Sequence, residues 1–345
     1  MTLGMIGETL PEPALHEKVA FLRRARAYAD PVDRVDAIET HMSWVFLANG
    51  WAYKLKKPAR HQFLDFSTRE ARRLDCEEEV RLNRRLASDI YVGVVPLSWD
   101  QEEGLQLEGT GRPVEWLVKM RRLPAEQMLD RALAAGTVGP HHAVRVAAVL
   151  AQFYRSLAPV EMTLRAYRRR LAGEIEACRA ELEQPVYALG PERVGAVAHA
   201  LIAFLGAGEA LIRERVEGRR IVEGHGDLRP EHVCLLEPPV VIDCLAFNRD
   251  LRILDAADEV SYLAMECERL EAAWFGAAVI EAYREAAGDD VAQALVHFYG
   301  AFRALVRAKL AAWHTHDAPP ETRPKWIGRA LRYLGLAEAH GRACT

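Results

Sequence analysis

The chain has 345 residues, of which 50% are hydrophobic and 27% are charged. This is the composition of an ordinary globular protein, long enough for two compact lobes, and it argues against a disordered chain. The formal net charge of −4 gives no general attraction to nucleic acid or to an anionic membrane, so we expect neither partner. The opening segment has no basic region followed by an apolar stretch, and later apolar runs are short. We therefore expect a cytoplasmic protein.

The first part of the chain, residues 1–119, is predicted to be a small lobe built on β-strands. Alternating runs at Ser43–Leu47 and Trp51–Lys56 flank the dipeptide Asn49-Gly50. An Asn-Gly pair between two such runs is the strongest short-range signal for a β-hairpin, because both residues tolerate the positive φ angles of its tight turn. We therefore predict that these two strands pair in antiparallel fashion.

A helix and a further strand are predicted after the hairpin. Ser67 and Glu70 have the spacing of a capping box, and the sequence up to about Ala87 has helical character. The run Pro113–Met120 is strand-like. The chain then becomes mainly helical, so we assign residues 120–345 to a larger helical lobe.

Polar residues are concentrated in the stretch VEGHGDLRPEHVCLLEPPVVIDCLAF. Asp227 lies on a polar loop, His232 begins the next predicted strand, and Asp243 lies within the strand after that. Phosphoryl transfer to a hydroxyl needs a carboxylate that orients the acceptor and metal ions that neutralise charge on the phosphates. Asp227 fits the first task and Asp243 the second, because a carboxylate within an apolar strand is costly without a metal or a strong hydrogen-bonding partner. His225 is predicted to hold the loop by hydrogen bonds.

The order His-Gly-Asp-Leu at 225–228, followed by Asp243, resembles the catalytic loop and the metal-binding aspartate of protein kinases. Its form is typical of the aminoglycoside and choline phosphotransferase superfamily. The resemblance implies a two-lobed protein-kinase-like fold of the α+β class, with a small antiparallel-sheet N-lobe and a large helical C-lobe that carries the catalytic loop. It also implies ATP or GTP, a divalent metal (magnesium or manganese) and a small-molecule hydroxyl as the acceptor.

Other residues occur in the order that the resemblance requires. Ala52 and Lys54 match the Ala-x-Lys strand whose lysine binds the α and β phosphates, and Glu79 occupies the place of that lysine's carboxylate partner. The hinge beside adenine would be Glu115–Met120. Asp258 matches an aspartate that braces the catalytic loop in this superfamily.

The lysine and its carboxylate partner each have alternatives. Lys54 and Lys56 have the same parity along the strand, so both would face the nucleotide. Lys54 is preferred because the alanine of the motif precedes it by two residues. On the following helix, Glu77 and Glu78 are alternatives to Glu79.

The sequence departs from the superfamily pattern at two places. No glycine-rich loop precedes the lysine strand, and residues 40–43, ending in Ser43, occupy its place. Ser43 would either offer donors to the phosphates or belong to an ordinary strand edge. The second departure is His232, which replaces a metal-binding asparagine. An imidazole suits manganese or zinc better than magnesium. Either His232 ligates the metal, or Asp243 holds it with phosphates and water.

Five stretches resemble one branch of the superfamily more closely. That branch comprises bacterial proteins in which an aminoglycoside-phosphotransferase-like domain is often fused to a C-terminal P-loop ATPase domain. The chain contains no G-x-x-x-x-G-K-[ST] motif, so such a P-loop ATPase partner would be encoded separately. The stretches are ETHMSWVFL, YKLKKP, FLDFST, CEEEVRLNRRLA and IDCLAFNRDLRILDAADEVSYLAMECERL.

Three functions are compatible with these residues. The leading one is a small-molecule kinase that transfers the γ-phosphoryl group to a hydroxyl. The second is a nucleotide-binding pseudokinase or regulatory module without turnover, because His232 and the missing glycine loop depart from the pattern. The third is a metal-dependent phosphoester hydrolase with His225, Asp227, His232 and Asp243 as ligands, which leaves the lysine and its carboxylate unexplained.

The acidic residues after Asp243 bear on the choice of acceptor. Glu259, Glu266 and Glu268 would either line a pocket for a cationic acceptor or lie on a solvated helix face. The sequence leaves both interpretations open.

Overall fold

The computed structural model describes residues 12–61 and 64–344. Most of the opening segment used for the localisation prediction, and Phe63 of the FLDFST stretch, lie outside the described residues. The chain packs as two compact units. The sheet unit runs up to Leu123 and includes Ala246–Asn248, and the helical unit comprises Pro124–Leu245 and the residues from Arg249 onward.

The sheet unit is built on a six-stranded antiparallel sheet with the strand order β1-β2-β3-β8-β6-β7. Its strands are β1 (Val35–Glu39), β2 (Ser43–Ala48), β3 (Trp51–Lys56), β4 (Arg60–His61), β5 (Leu64–Asp65), β6 (Tyr91–Asp100), β7 (Gly104–Leu107) and β8 (Arg112–Arg121), of which β4 and β5 form a separate pair. Its helices are α1 (Leu15–Leu22) and α2 (Arg69–Asn83).

The predicted hairpin is confirmed. Strands β2 and β3 pair in antiparallel register up to Ala48 and Trp51, with Asn49 and Gly50 as the two turn residues. Asn49 has a φ of 48°, the left-handed conformation that this kind of tight turn requires. The turn therefore sets the register that decides which residues of β3 share a face.

Alternation along β3 separates the core of the sheet unit from its charged residues. Tyr53 and Leu55 are buried in the hydrophobic core with Phe46 of β2. Lys54 and Lys56 have the opposite parity, and their ammonium groups contact α2. This confirms the prediction that both lysines lie on one face of the strand.

Helix α2 begins one residue later than the capping-box prediction placed it. The hydroxyl of Thr68 accepts a hydrogen bond from the backbone N–H of Ala71 at 3.1 Å, so Thr68 is the N-cap. The Ser67 hydroxyl donates instead to Asp65 Oδ1 at 2.5 Å. Ser67 is therefore engaged in the preceding turn, and its predicted capping role is wrong.

The helical unit contains nine of the described helices and four short strands. The helices are α3 (Leu129–Ala134), α4 (Pro140–Ser156), α5 (Leu164–Leu182), α6 (Pro191–Ala207), α7 (Glu209–Glu217), α8 (Ala256–Arg269), α9 (Ala273–Ala287), α10 (Gln293–Asp317) and α11 (Arg323–Cys344). The strands are β9 (Ile221–Glu223), β10 (Val233–Cys234), β11 (Val240–Val241) and β12 (Ile253–Asp255), paired as β9 with β12 and β10 with β11. A small antiparallel-sheet unit and a larger helical unit confirm the predicted fold class.

None of the described helices is by itself long and apolar enough to cross a membrane. Among the described helices, only α6 and α7 taken together, with a bend of 66° between them, reach the required length and composition.

Candidate active site

A buried network of lysines and carboxylates joins β3 to α2 in the sheet unit. Lys54 Nζ lies 2.9 Å from Glu79 Oε1, and Lys56 Nζ lies 2.6 Å from Glu79 Oε2. Lys56 also pairs with Asp75. Burial alone would lower the pKa of Lys56, but the charges of Glu79 and Asp75 raise it above its ordinary value. The side chains of Lys54 and Lys56 therefore share the Glu79 carboxylate.

The geometry distinguishes Glu79 from its neighbours on α2. Glu79 is 2% exposed, whereas Glu77 is 47% exposed and pairs with Arg73 on the helix surface. Glu78 pairs with Arg81 one turn further along the helix. Glu79 is therefore the glutamate of this run that meets the lysines.

The other residues predicted to bind nucleotide lie on the same sheet. Ala52 is paired with Met120 in the β3–β8 register, and both residues are buried. Ser43 is buried at the start of β2, and its hydroxyl lies 2.9 Å from Thr40 Oγ1, which also accepts from the Ser43 backbone N–H. The residues before β2 thus form a tight turn that already engages the Ser43 hydroxyl. Nucleotide contacts of these residues stay a prediction.

Glu115, at the start of the predicted hinge, is a buried ion-pairing residue. Arg72 Nη2 lies 2.6 Å and Lys18 Nζ lies 3.0 Å from its Oε2 atom. Two cations from α1 and α2 therefore offset the charge of this carboxylate inside the sheet unit.

In the helical unit, Glu259 holds the loop that follows β9. Its carboxylate accepts the backbone N–H groups of His225, at 3.0 Å, and of Gly226. The hydroxyl of Tyr154 donates to Glu259 Oε2 at 2.9 Å. Glu259 is fully buried, so both interpretations of its role left open by the sequence, pocket lining and solvated surface, are wrong.

Asp258, which was expected to brace this loop, has a different partner. Its two oxygens each accept a hydrogen bond from Arg303 of α10, both at 2.6 Å. Successive residues of a helix point in directions that differ by roughly 100°. Asp258 therefore faces α10, while Glu259 faces the loop, and the prediction for Asp258 is wrong.

Two glycines let the loop approach Glu259 closely. Gly226 has a φ of 88°, in the left-handed region that favours glycine. A Cβ atom on Gly224 would lie 2.5 Å from Glu259 Oε2. A side chain at Gly224 would therefore displace the loop or its brace, and one at Gly226 would strain the backbone.

His225 is buried beneath the loop, and both of its ring nitrogens are engaged. Nε2 lies 2.9 Å from the carbonyl oxygen of Ile242, and Nδ1 accepts the backbone N–H of Asp227 at 3.3 Å. This pattern requires the tautomer protonated at Nε2. Burial lowers the pKa of His225, so the ring is a neutral tie between the loop and the segment after β11.

The Asp227 carboxylate is held by one hydrogen bond and one ion pair. Tyr262 donates its hydroxyl to Oδ1 at 2.9 Å, and Arg229 Nη2 lies 3.0 Å from Oδ2. Burial alone would raise the pKa of Asp227, but the charges of Arg229 and Arg307 and the Tyr262 hydrogen bond hold it well below its ordinary value. The side chain is still 26% exposed. A charged, oriented and accessible carboxylate results.

His232 lies beside Asp227, in the turn Pro230–His232 that precedes β10. Its Nδ1–H donates to the carbonyl oxygen of Asp227 at 2.8 Å, which leaves the lone pair on Nε2. Arg229 Nη2 lies 3.0 Å from Nε2 and donates to it. Asp243 Oδ2 lies 3.5 Å from the same nitrogen. His232 is thus brought together with Asp227 and Asp243.

Asp243 is not within a strand, contrary to the prediction. Strand β11 ends at Val241, and Asp243 has a φ of 61°, outside the extended conformation of strands. Ile242, which lies between β11 and Asp243, donates its N–H to the carbonyl of His232. Beyond Ile242 the chain no longer pairs with the β10 side of the hairpin. The Asp243 side chain is 46% exposed, so burial was the wrong reason to expect a metal there.

Asp243 nevertheless suits a divalent metal for another reason. Magnesium is usually held by one or two carboxylates together with water and substrate phosphates, and an exposed aspartate can serve as such a ligand. Ligation by His232 Nε2 would require Arg229 to release its hydrogen bond, because one lone pair cannot serve both. Among residues 12–61 and 64–344, no group of three or more His, Cys, Asp or Glu side chains has a metal-binding arrangement.

The sequence analysis missed Tyr262, Arg229 and Arg307 as neighbours of Asp227. A signal for Tyr262 exists in the spacing of polar residues at 258, 262 and 266, which places them on one face of α8. Arg307 follows Arg303 by one turn of α10, a similar signal. The spacing of these residues does not predict which loop the faces of α8 and α10 contact.

Curated relatives of the chain have no established function. No protein-family model matches the chain. Uncharacterized proteins of Mycobacterium tuberculosis and Mycobacterium bovis are each 31% identical to it over 323 residues, covering 90% of this chain and 60% of the relative. The chain thus spans about 60% of the length of the curated relatives it matches.

Solved structures give the fold. A choline/ethanolamine kinase family protein from Mesorhizobium loti has a TM-score of 0.50 and 14% identity, covering 95% of this chain and 99% of that one. A glucosamine kinase has a TM-score of 0.47 and 16% identity, covering 91% of this chain and 79% of that one. The first of these likenesses shows that the chain has the protein-kinase-like fold, and at this identity it shows the fold alone.

Proposed function

We propose that the chain is a kinase that transfers the γ-phosphoryl group of ATP or GTP to a hydroxyl of a small molecule. The observation that carries the proposal is the Asp227 carboxylate, which Tyr262 and Arg229 orient while it stays accessible, beside Asp243 and His232. One carboxylate to orient the acceptor and a second to hold a metal are the protein groups that this reaction requires.

The chemistry follows from the state of Asp227. The acceptor oxygen would form a bond to the γ-phosphorus while the bond from that phosphorus to the bridging oxygen breaks, releasing the nucleoside diphosphate. Asp227 would accept the hydrogen bond of the acceptor hydroxyl and align its oxygen. Because the pKa of Asp227 is low, its contribution is mainly orientation, and the proton passes on to the phosphate product or to solvent.

Asp243 is the proposed protein ligand of a divalent metal, with His232 as a further ligand if Arg229 moves away from it. A bound metal would neutralise charge on the phosphates during transfer. In the sheet unit, Lys54 is the proposed phosphate ligand because its side chain is 16% exposed, against 7% for Lys56. Ala52 and Met120 are proposed to contact the nucleotide base from β3 and β8.

A nucleotide-binding module without turnover is a second candidate. The observation that favours it is the hydrogen bond from Arg229 to His232 Nε2, which occupies the lone pair that a metal would need. The hydrolase alternative has less support, because both ring nitrogens of His225 are engaged by the backbone.

The test is phosphoryl transfer by the full chain with ATP or GTP, magnesium or manganese, and a panel of alcohols. Asp227→Asn is expected to lower turnover about a hundredfold or more, because the acceptor oxygen loses the carboxylate that aligns it, with little change in nucleotide affinity. The matched control is Asp290→Asn, at an exposed position of the same unit. Equal turnover in Asp227→Asn would remove Asp227 from the mechanism, and nucleotide binding without turnover under all conditions would favour the second candidate.

A further inference from the structure

Two arginines on α10 face the catalytic loop region of the helical unit. Arg303 and Arg307 are one helical turn apart. Arg303 uses its guanidinium to bind both oxygens of Asp258. Among the described residues, Arg307 makes its polar contacts through Nε alone, which lies 3.2 Å from Glu266 Oε1 and 3.4 Å from the hydroxyl of Tyr333, while its guanidinium lies over the Tyr333 ring. The two residues therefore differ in how much of the guanidinium is committed.

The Glu266 carboxylate does not depend on Arg307 alone. Arg269 Nε lies 2.5 Å from Glu266 Oε2, and the Tyr333 hydroxyl lies 2.8 Å from Oε1. Glu266 is fully buried, and Arg269 and Tyr333 already contact both of its carboxylate oxygens. Arg307 adds a third contact through one of its five N–H donors.

The Nη groups of Arg307 are donors that the described residues do not engage. Within the part of the chain that the structure describes, its two Nη atoms make no hydrogen bond, and the side chain keeps 14% exposure. The planar guanidinium fork matches the geometry of a carboxylate or a phosphate and can bind either with two parallel hydrogen bonds. An anionic group is the natural partner for such a surface.

Arg307 is a neighbour of Asp227 without being its partner. Glu266, which contacts Arg307, lies one helical turn of α8 beyond Tyr262, whose hydroxyl donates to Asp227 Oδ1 at 2.9 Å. The direct ion pair of Asp227 is made by Arg229 instead. An acceptor whose hydroxyl meets Asp227 would therefore find Arg307 close to the rest of the molecule.

The carboxylates around this region offer little to a cationic acceptor. Glu231 pairs with Arg269 at 2.9 Å, and its Oε2 atom, which has no hydrogen-bond partner among the described residues, lies 4.0 Å from Arg229 Nη1. Glu268 Oε2 lies 3.0 Å from His340 Nε2. Glu231, Glu266 and Glu268 each face a basic group, so Glu266 and Glu268 do not support the acidic-pocket interpretation.

We propose that Arg307 selects an acceptor that carries a carboxylate or a phosphate group close to the hydroxyl that receives the phosphoryl group. The inference rests on the proposed kinase function, because it names the acceptor class of that same site. A cationic acceptor would meet Arg307 and Arg229 and would be repelled by them.

Probes of equal size and different charge test this proposal. Glycerate, glycerol and 2-amino-1,3-propanediol are anionic, neutral and cationic versions of one three-carbon alcohol, and glycerol 3-phosphate replaces the carboxylate by a phosphate. Binding to the full chain is measured by ligand-observed NMR, and transfer from ATP is measured in parallel. At least one anionic probe is expected to bind about tenfold or more tightly than glycerol, the scale of one charge-assisted hydrogen bond. The preferred anion distinguishes a carboxylate from a phosphate acceptor.

Variants of Arg307 separate recognition from folding. Arg307→Gln should weaken binding of the anionic probe about tenfold or more and leave glycerol unchanged, whereas Arg307→Lys should retain part of the preference. Arg332→Gln, at an exposed position of α11, is the matched control and should bind like the wild type. If thermal unfolding shows that Arg307→Gln does not fold, the proposal is decided by comparing anionic-probe binding of Arg307→Lys with that of the wild type.

The outcomes distinguish this inference from the kinase proposal. Tighter binding of 2-amino-1,3-propanediol, or anionic binding that does not respond to Arg307 substitution, would overturn the inference while transfer to any probe leaves the kinase proposal standing. Binding of none of the anionic probes would overturn it as well. Arg307-dependent anionic binding without transfer would support the inference about the site and count against kinase activity.

Discussion

The lysine network of the sheet unit and the loop network of the helical unit are both buried and charged, but they are built differently. In the first, side chains pair with side chains, and Lys54 and Lys56 share one carboxylate of Glu79. In the second, the Glu259 carboxylate binds backbone N–H groups of the loop that follows β9, and the His225 ring binds the backbone on both sides. When one side chain of a side-chain network is lost, its partner can pair with another member. When a side chain that binds backbone is lost, the backbone groups stay in place without that partner.

This difference predicts that loss of one side chain is compensated by its neighbours in the lysine network but not in the loop network. Loss of one lysine leaves another ammonium group on the same carboxylate. Loss of Glu259 removes the acceptor of the His225 and Gly226 backbone N–H groups, and an unsatisfied buried donor is costly. The following experiments sharpen or break the comparison, in order of expected effect.

The largest effect is expected from Glu79→Gln. The substitution removes the carboxylate charge that Lys54 and Lys56 share, and removing one member of a buried ion pair costs about 3 kcal/mol or more. The free energy of unfolding, measured by urea denaturation, should fall by that amount. Glu77→Gln on the same helix is the control, and it should change stability little because Glu77 is on the surface. Similar losses in both variants would contradict the shared-carboxylate description.

Glu259→Gln should lower the free energy of unfolding by about 2 kcal/mol, because an amide has one acceptor oxygen where the carboxylate uses two. Turnover should fall as well, since the loop that carries Asp227 loses its brace. Asp258→Asn is the comparison, and its folded fraction should keep turnover because its partner is Arg303. A turnover loss confined to Asp258→Asn would return the bracing role to Asp258.

Alanine variants of the two lysines should differ in their affinity for a nucleoside triphosphate. Lys54→Ala is expected to weaken binding of a nucleoside triphosphate about tenfold, because one charge-assisted contact to phosphate is lost. Lys56→Ala should act mainly on stability, because Lys56 is buried between Glu79 and Asp75. Calorimetric titration of both variants measures the difference. Unchanged affinity in Lys54→Ala with lost affinity in a folded Lys56→Ala would reverse the assignment.

The smallest effect is expected from Gly226→Ala, at about 1 kcal/mol, the lower end of the cost of a left-handed backbone for an alanine. Its Cβ would also lie 3.1 Å from Arg252 Cγ and Leu245 Cβ. Gly173→Ala is the control of opposite sign, because Gly173 lies within α5 with open space around it, and alanine is the better helix former. Thermal unfolding of both variants gives the comparison, and a stabilised Gly226→Ala would show that the loop tolerates a side chain.

The elements that the sequence predicted well are those whose signal is local. The Asn49-Gly50 turn sets the pairing of β2 and β3, and the period of two along a strand puts Lys54 and Lys56 on one face. The predicted cap of α2 failed because a neighbouring group competed for the same side chain. Ser67 does not cap α2, because Asp65 takes its hydroxyl.

By itself, the sequence determined the order of the elements, the hairpin and the positions of His225 and Asp227 on one short loop. It did not determine the surroundings of that loop. Glu259 reaches back 34 residues to His225, Tyr262 reaches back 35 to Asp227, and Arg303 joins Asp258 across 45 residues. Spacing shows which residues share a helix face, but only the packing of α8 and α10 in the tertiary structure decides what each face contacts. Since successive helix residues point in directions roughly 100° apart, that packing alone assigned the brace to Glu259 and Asp258 to Arg303.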